Sequence, residues 1–116
     1  MGVDIALHVV NMESEFPAMA LAHARVPLDR DYRLQDRIDE ISQKSPAAAI
    51  AGGVYGFFGD HYGRLPATDP YGQPVEWVAA ADLAEAMRGD LSPWNAAALA
   101  FVSALPSATK IILWYH

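Results

Sequence analysis

Residues 111–115 read Ile-Ile-Leu-Trp-Tyr, five apolar side chains in an unbroken run. A strand that is covered on both faces has this pattern, so the run predicts a strand in the interior of a sheet. Residues 3–10 supply a second strand, because every second position is apolar and a period of two indicates one buried face. The alternating residues are Val3, Ile5, Leu7 and Val9.

The sequence predicts two more strands between these two. Residues 18–26 favour a strand that pairs with the first, although their alanines are equally compatible with a helix. Residues 75–78 are long enough for a short strand. Together with the two ends of the chain, these segments predict a mixed sheet.

Three helices are expected beside that sheet. The first has an apolar stripe of i, i+4 and i+7 spacing, with Asp29 or Asp31 as its N-cap. On its solvent face Arg33 is expected to pair with Asp36, and Arg37 with Glu40. The stripe consists of Leu34, Ile38 and Ile41.

The second and third helices follow in the C-terminal half. Residues 79–88 place Leu83 and Met87 on one face and end at Gly89, the expected left-handed stop. Ser92 and Pro93 are the N-cap and first residue of the third helix. A long apolar stripe predicts that this last helix is largely buried; its members are Trp94, Ala98, Leu99, Phe101, Val102 and Leu105.

These elements predict one α+β domain over residues 1–116, with about three helices flanking a mixed sheet. The chain has no cysteine, which excludes disulfides and favours a reducing compartment. A net charge of −6 argues against direct nucleic-acid binding. No apolar run approaches the roughly 20 residues that span a bilayer. We therefore expect a cytoplasmic protein without a membrane partner, and the oligomeric state stays open.

Residues 52–74 are predicted to be an irregular loop, since they contain six of the eight glycines and three of the eight prolines. Long loops in compact domains are often functional. Aromatic residues beside an arginine have the composition of a protein-binding patch, and also of a loop that covers the core. The candidate binding residues are Tyr55, Phe57, Phe58, Asp60, His61, Tyr62, Arg64 and Tyr71.

Reactive groupings are sparse. Asp60 and His61 form a possible acid–base pair, with Arg64 beside them to hold an anion. Asp4 and His8 are about 13 Å apart on one strand, too far to share an ion, and are expected to be polar residues on the outer face. The spacing of histidines and acids matches no metal motif, and no phosphate loop or nucleophile elbow is present. No catalytic residue, metal or cofactor is assigned.

Short motifs at both ends and in the middle of the chain resemble a family of small uncharacterised phage and prophage proteins. That family begins Met-Gly-Xaa-Asp-Ile-His, and residues 1–5 match it, but Ala6 replaces the histidine. Residues 30–34 look like its Arg-Asn/Asp-Tyr-Xaa-Leu, residues 64–66 are similar to its Gly-Leu-Pro, and residues 112–116 resemble its aromatic C-terminal strand. The resemblance implies an origin in mobile genetic elements and no particular activity.

Three functional hypotheses follow. The first is a non-enzymatic phage or prophage accessory protein that binds a host protein in the host cytoplasm, for example to inhibit a defence system such as a CRISPR effector. The second is a small hydrolase or ligand-binding enzyme that uses Asp60, His61 and Arg64, alone or with Asp4 and His8 brought near by folding. The third is a homo-oligomeric structural protein that pairs through an exposed sheet edge.

Overall fold

The computed structural model describes residues 4–11, 20–41, 44–46, 54–58 and 61–116. These residues form seven strands: β1 Ile5–Asn11, β2 Ala20–Pro27, β3 Ser45–Pro46, β4 Val54–Phe58, β5 His61–Arg64, β6 Glu76–Ala79 and β7 Lys110–Tyr115. They also form three helices: α1 Tyr32–Asp39, α2 Ala80–Met87 and α3 Pro93–Ala104. None of the helices in the described ranges has the length and apolar character that crossing a bilayer requires.

The strands form one mixed sheet in the order β3-β6-β7-β1-β2-β4-β5. Neighbouring strands are antiparallel except β2 and β4, which pair in parallel. The predicted α+β class is confirmed, with the four expected strands present to within two residues at their described ends. Residues 3, 18 and 19 of the predicted strands lie outside the described residues.

The strand β7 lies between β6 and β1, and its residues 111–114 are all buried. The interior position predicted from the apolar run is confirmed. One core lies on the helix side of the sheet, where Leu7 and Leu113 pack with residues of all three helices. A second core lies on the opposite side, where Ile112 and Trp114 pack against Val54 and Phe58.

The sheet curls so that β4 covers part of this second side. Two strands separate β4 from β7, and three strand spacings amount to about 14 Å in a flat sheet. The ring centroids of Phe58 and Trp114 are nevertheless only 5.9 Å apart. Phe58 also contacts His8 of β1 at 4.7 Å. The end of β4 therefore lies over the face of β1 and β7 that the helices leave uncovered.

The start of α1 is set by Asp31, whose carboxylate accepts hydrogen bonds from the backbone N–H groups of Arg33 and Leu34. Asp31, of the two candidates, is therefore the N-cap. The predicted stripe is confirmed, since Leu34 and Ile38 are buried and Ile41 is half-buried. The two predicted solvent-face ion pairs are wrong, because neither forms among the described residues. Arg37 instead donates to the carbonyl oxygen of Ala86, at the end of α2.

The remaining helices begin and end close to the predicted positions. In α2, Leu83 and Met87 are buried as expected. Gly89 has a φ of +141°, which favours glycine but lies well beyond the value of the left-handed helical stop that was predicted. In α3, Ser92 caps the helix by accepting a hydrogen bond from the N–H of Asn95, and Pro93 is its first residue, as predicted.

The buried face of α3 differs from the prediction. Trp94 and Phe101 are exposed, whereas Asn95, Ala98 and Val102 are buried. Asn95 takes a core-facing position because its side-chain amide donates to the carbonyl of Asp29 and accepts from the N–H of the same residue. Both hydrogen-bonding groups are thereby satisfied, so burial of the amide carries little cost.

Candidate functional site

Residues 52–74 contain a hairpin, so the prediction of an irregular loop is wrong for their first half. The strands β4 and β5 are antiparallel, with Gly56 directly opposite Gly63. Neither adopts a positive φ, and a Cβ at Gly63 would meet nothing within 4 Å. The two glycines therefore occupy ordinary strand positions, and the pairing of β4 with both β2 and β5 outweighs their weak strand preference.

Four of the candidate binding residues lie on one face of this hairpin. Tyr55 is opposite Arg64, and Phe57 is opposite Tyr62; residues opposite each other share a face. Phe57 is 61% exposed and Tyr62 is 60% exposed. Their ring centroids are 5.1 Å apart in an edge-to-face arrangement. We call the surface formed by these four residues the outer hairpin face.

Phe58 lies on the other face of β4 and is only 7% exposed. Its ring is packed between those of His8 and Trp114, in the second core. The assignment of Phe58 to a binding surface is therefore wrong. Successive residues of a strand point to opposite faces of the sheet. Phe58 therefore covers the core, whereas Phe57 and Tyr62 project away from it.

Tyr71 is not part of the hairpin; it lies in a turn and is 52% exposed, and its assignment as a binding residue stays a prediction. The carboxylate of Asp69 accepts hydrogen bonds from the backbone N–H groups of Tyr71 and Gln73, which closes a turn. Gly72 takes the positive φ of +79° that this turn requires. Tyr71 thereby borders a cleft of about 300 Å³, whose other lining residues are Gln35, Asp39, Lys44, Asp69, Gln73, Pro74, Glu76 and Tyr115.

The cleft is rich in hydrogen-bond acceptors. The hydroxyl of Tyr115 donates to the carboxylate of Asp39 at 2.8 Å. Burial, together with this hydrogen bond, raises the pKa of Tyr115 well above its ordinary value. The hydroxyl therefore stays protonated near neutral pH and is not a general base. Across the residues that the structure describes, no group of three or more His, Asp or Glu is placed to hold a metal ion.

The proposed acid–base pair falls largely outside the described residues. Asp60 is not described, and His61 is described only by its backbone in β5. Arg64 is exposed on the outer hairpin face. The hydrolase hypothesis that joins these three residues therefore stays a prediction.

His8 was expected on the outer face of the sheet and is instead buried, with 1% of its surface exposed. The reason is the curl of the sheet, which places Phe58 over this position. Its Nε2 has no hydrogen-bond partner within the described part of the chain. Burial lowers the pKa of His8 to about 4, assisted by the positive charges of Arg25 and His116. His8 is therefore neutral at pH 7.

Asp4 is held by Arg30 and does not act with His8. The guanidinium donates from Nε to Oδ1 at 2.7 Å and from Nη2 to Oδ2 at 3.1 Å. This hydrogen bonding lowers the pKa of Asp4 below its ordinary value. The two hydrogen bonds join the residue before β1 to the segment before α1, which is a structural role.

Sequence reasoning also missed a second exposed apolar surface, on α3. Trp94 and Phe101 border a groove of about 190 Å³ with Val26, Ala97 and Ala98. The indole N–H of Trp94 donates to the carbonyl of Pro27. The signal that identifies this surface is the buried Asn95, whose amide turns its apolar neighbours toward solvent.

No protein-family model matches the chain, and no curated protein or solved structure matches it. None of these comparisons bears on the resemblance to phage and prophage proteins, which stays a prediction.

Proposed function

We propose that this protein acts by binding another protein through the outer hairpin face. The observation that carries the proposal is the exposed, mutually packed pair of Phe57 and Tyr62. A single exposed apolar residue needs no explanation, but two adjoining rings form a larger apolar surface. With Tyr55 and Arg64 beside them, the surface has the Tyr, Phe and Arg composition that is enriched at protein interfaces.

The hairpin is a rigid support for such contacts. On its opposite face Val54 and Phe58 are buried in the second core, which fixes the backbone that carries the four side chains. An aromatic side chain has only two rotatable angles, and the edge-to-face contact of Phe57 with Tyr62 restricts both rings further. A preorganised surface loses little conformational entropy on binding, so more of the contact energy appears as affinity.

The charge of the chain supports a protein partner over nucleic acid. With a net charge of −6, the domain repels phosphate backbones, and Arg64 is the charged group on the outer hairpin face. Under this proposal the resemblance to phage proteins suggests a host protein as the partner, bound in the host cytoplasm. Inhibition of a host defence system such as a CRISPR effector is the form of activity that the resemblance favours.

The test compares how much of the partner protein is captured by the wild type and by two variants in which exposed aromatic residues are replaced by alanine. Phe57→Ala/Tyr62→Ala removes both rings of the outer hairpin face. Tyr32→Ala is the control, because Tyr32 is 66% exposed on α1 and lies outside that face. Each tagged, full-length protein is incubated with lysate of the cells in which it acts, and captured proteins are quantified by mass spectrometry. Circular dichroism establishes that all variants are folded.

The proposal predicts a protein that is captured by the wild type and by Tyr32→Ala, and at least tenfold less by Phe57→Ala/Tyr62→Ala. Removing two aromatic contacts of an interface centre costs about 2 kcal/mol or more, which exceeds a tenfold loss of affinity. Equal capture by the double variant, or no specific capture by the folded wild type, contradicts the proposal.

A further inference from the structure

We infer that the partner supplies an extended polypeptide segment that pairs with the free edge of β5 as an eighth strand. The inference rests on the proposed function and specifies how the outer hairpin face is used. It identifies the partner by its chemistry: a segment of a different protein with alternating side chains, some of which cover the exposed rings.

The strand β5 lies at an edge of the sheet that the described residues form. It is the last strand in the order and pairs with β4 along one side, and no described strand lies along its other side. An edge strand presents N–H and C=O groups that are unpaired within the sheet, and another chain in extended conformation satisfies them.

Two residues of β5 have backbone N–H and C=O groups that point away from β4. The N–H of Leu65 donates to the carbonyl of Val54 at 2.7 Å, in the same register that pairs Tyr55 with Arg64. Directly opposed residues of an antiparallel ladder alternate between hydrogen-bonded and non-hydrogen-bonded pairs. Gly63 therefore bonds toward β4, whereas the N–H and C=O groups of Tyr62 and Arg64 point away from it. The free edge offers two donors and two acceptors.

The two residues whose backbone groups point outward also carry exposed side chains. Tyr62 and Arg64 project onto the outer hairpin face, two positions apart along β5. An added strand brings its own alternating side chains beside them, at cross-strand distances of about 5 Å. The matching segment has an apolar or aromatic residue beside Tyr62 and a carboxylate beside Arg64. Its recognition sequence thus contains an acidic and an apolar residue separated by one position.

Charge decides against a second copy of this chain as the occupant. Each copy carries a net charge of −6, and pairing two edges brings these charges together. Two copies that both carry this net charge repel each other, and this repulsion favours the monomer. A different protein with a less acidic surface avoids this cost while still offering one carboxylate to Arg64.

The probe for the experiment is a phage-displayed library of random ten-residue peptides, selected on the immobilised full-length protein. The tightest enriched peptide is synthesised, and its affinity is measured by calorimetry for wild type, Tyr62→Ala and Tyr62→Pro. Both variants lack the ring, but only proline also lacks the outward N–H. The ladder with β4 stays intact, because proline is tolerated where an edge-strand N–H faces solvent.

The inference predicts that Tyr62→Pro binds the peptide about tenfold more weakly than Tyr62→Ala, the loss expected for one hydrogen bond. Amide hydrogen exchange on the wild type gives a readout that does not depend on any variant. The Tyr62 and Arg64 amides should exchange rapidly in the free protein and at least tenfold more slowly with the peptide. The Gly63 amide should be protected in both states.

Three results would overturn the inference. Equal affinity of Tyr62→Pro and Tyr62→Ala, with unchanged exchange at Tyr62 and Arg64, excludes strand addition. If the same peptide nevertheless fails to bind Phe57→Ala/Tyr62→Ala, it contacts the outer hairpin face without adding a strand. The proposed function then stands although this inference does not. A wild-type dimer in light scattering that Tyr62→Pro abolishes and Tyr62→Ala retains identifies a second copy as the occupant. Failure to enrich any peptide also counts against strand addition at β5. The capture experiment tests the proposed function separately.

Discussion

Lowering the pH from 7 to 4 should destabilise this protein through one buried side chain, His8. In the folded state burial lowers the pKa of His8 from an ordinary 6.5 to about 4. Between these two pH values the unfolded chain binds a proton that the folded chain excludes, so stability rises with pH across this window. The stabilisation is fully present above pH 6.5 and is lost progressively as the pH falls toward 4. A difference of about 2.5 pH units corresponds to about 3 kcal/mol in the free energy of unfolding.

The assay is urea unfolding at pH 7, 5.5 and 4, followed by tryptophan fluorescence, for the wild type and for His8→Leu. Leucine has a similar volume and suits the apolar surroundings provided by Phe58 and its neighbours. Carboxylates titrate in both proteins, so the difference between their pH profiles isolates His8. We expect the wild type to lose about 3 kcal/mol more than His8→Leu between pH 7 and 4.

Parallel pH profiles for the two proteins would refute this reasoning. That result would mean that His8 takes up its proton in the folded state as readily as in the unfolded chain. The position of β4 over the second side of the sheet would then be wrong as well, because Phe58 is the ring that covers His8.

Three further predictions concern stability and local electrostatics. Asn95→Ala should lower the free energy of unfolding by about 2–3 kcal/mol in urea titrations, because two hydrogen bonds to the Asp29 backbone are lost; a loss below 1 kcal/mol would contradict this. In the same assay Phe58→Ala should cost about 3–5 kcal/mol and Phe57→Ala about 1 kcal/mol or less, and similar losses at the two positions would argue against their different burial. Arg30→Ala should return the pKa of Asp4 toward 3.8, observed by NMR titration of the carboxyl carbon, whereas an unchanged pKa would exclude the guanidinium as the cause.

The regular parts of the fold were predictable because a single periodicity determined each of them. The apolar run located β7 and the alternation located β1, although both faces of β1 are buried and not one as predicted. Ser92 marked the start of α3, whereas Asp29 and Asp31 both remained candidates for the start of α1. The hairpin was missed because Gly56 and Gly63 were interpreted as breakers. Their strand conformation is imposed by pairing with neighbouring strands, which is a tertiary effect that a local sequence signal does not contain.

The candidate site was half predictable for a related reason. Composition placed Tyr55, Phe57, Tyr62 and Arg64 among the candidate binding residues without deciding between a binding patch and a core cover, and the structure brings these four together. Composition did not separate Phe58 from these four residues, because the two groups are distinguished only when residues 54–58 are known to form a strand. The exposed Trp94 was missed because its stripe is apolar like a core face, whereas the buried face of α3 includes Asn95, which pairs with the Asp29 backbone.

Site-directed photo-crosslinking in living cells gives the most direct test of the outer hairpin face as the binding surface. Benzoylphenylalanine replaces Phe57 in one protein and Tyr32 in another, and covalent adducts are identified after irradiation. Binding through the outer hairpin face predicts a discrete adduct with one protein partner from position 57 and none from position 32. Adducts from position 32 alone, or from neither position, would contradict it.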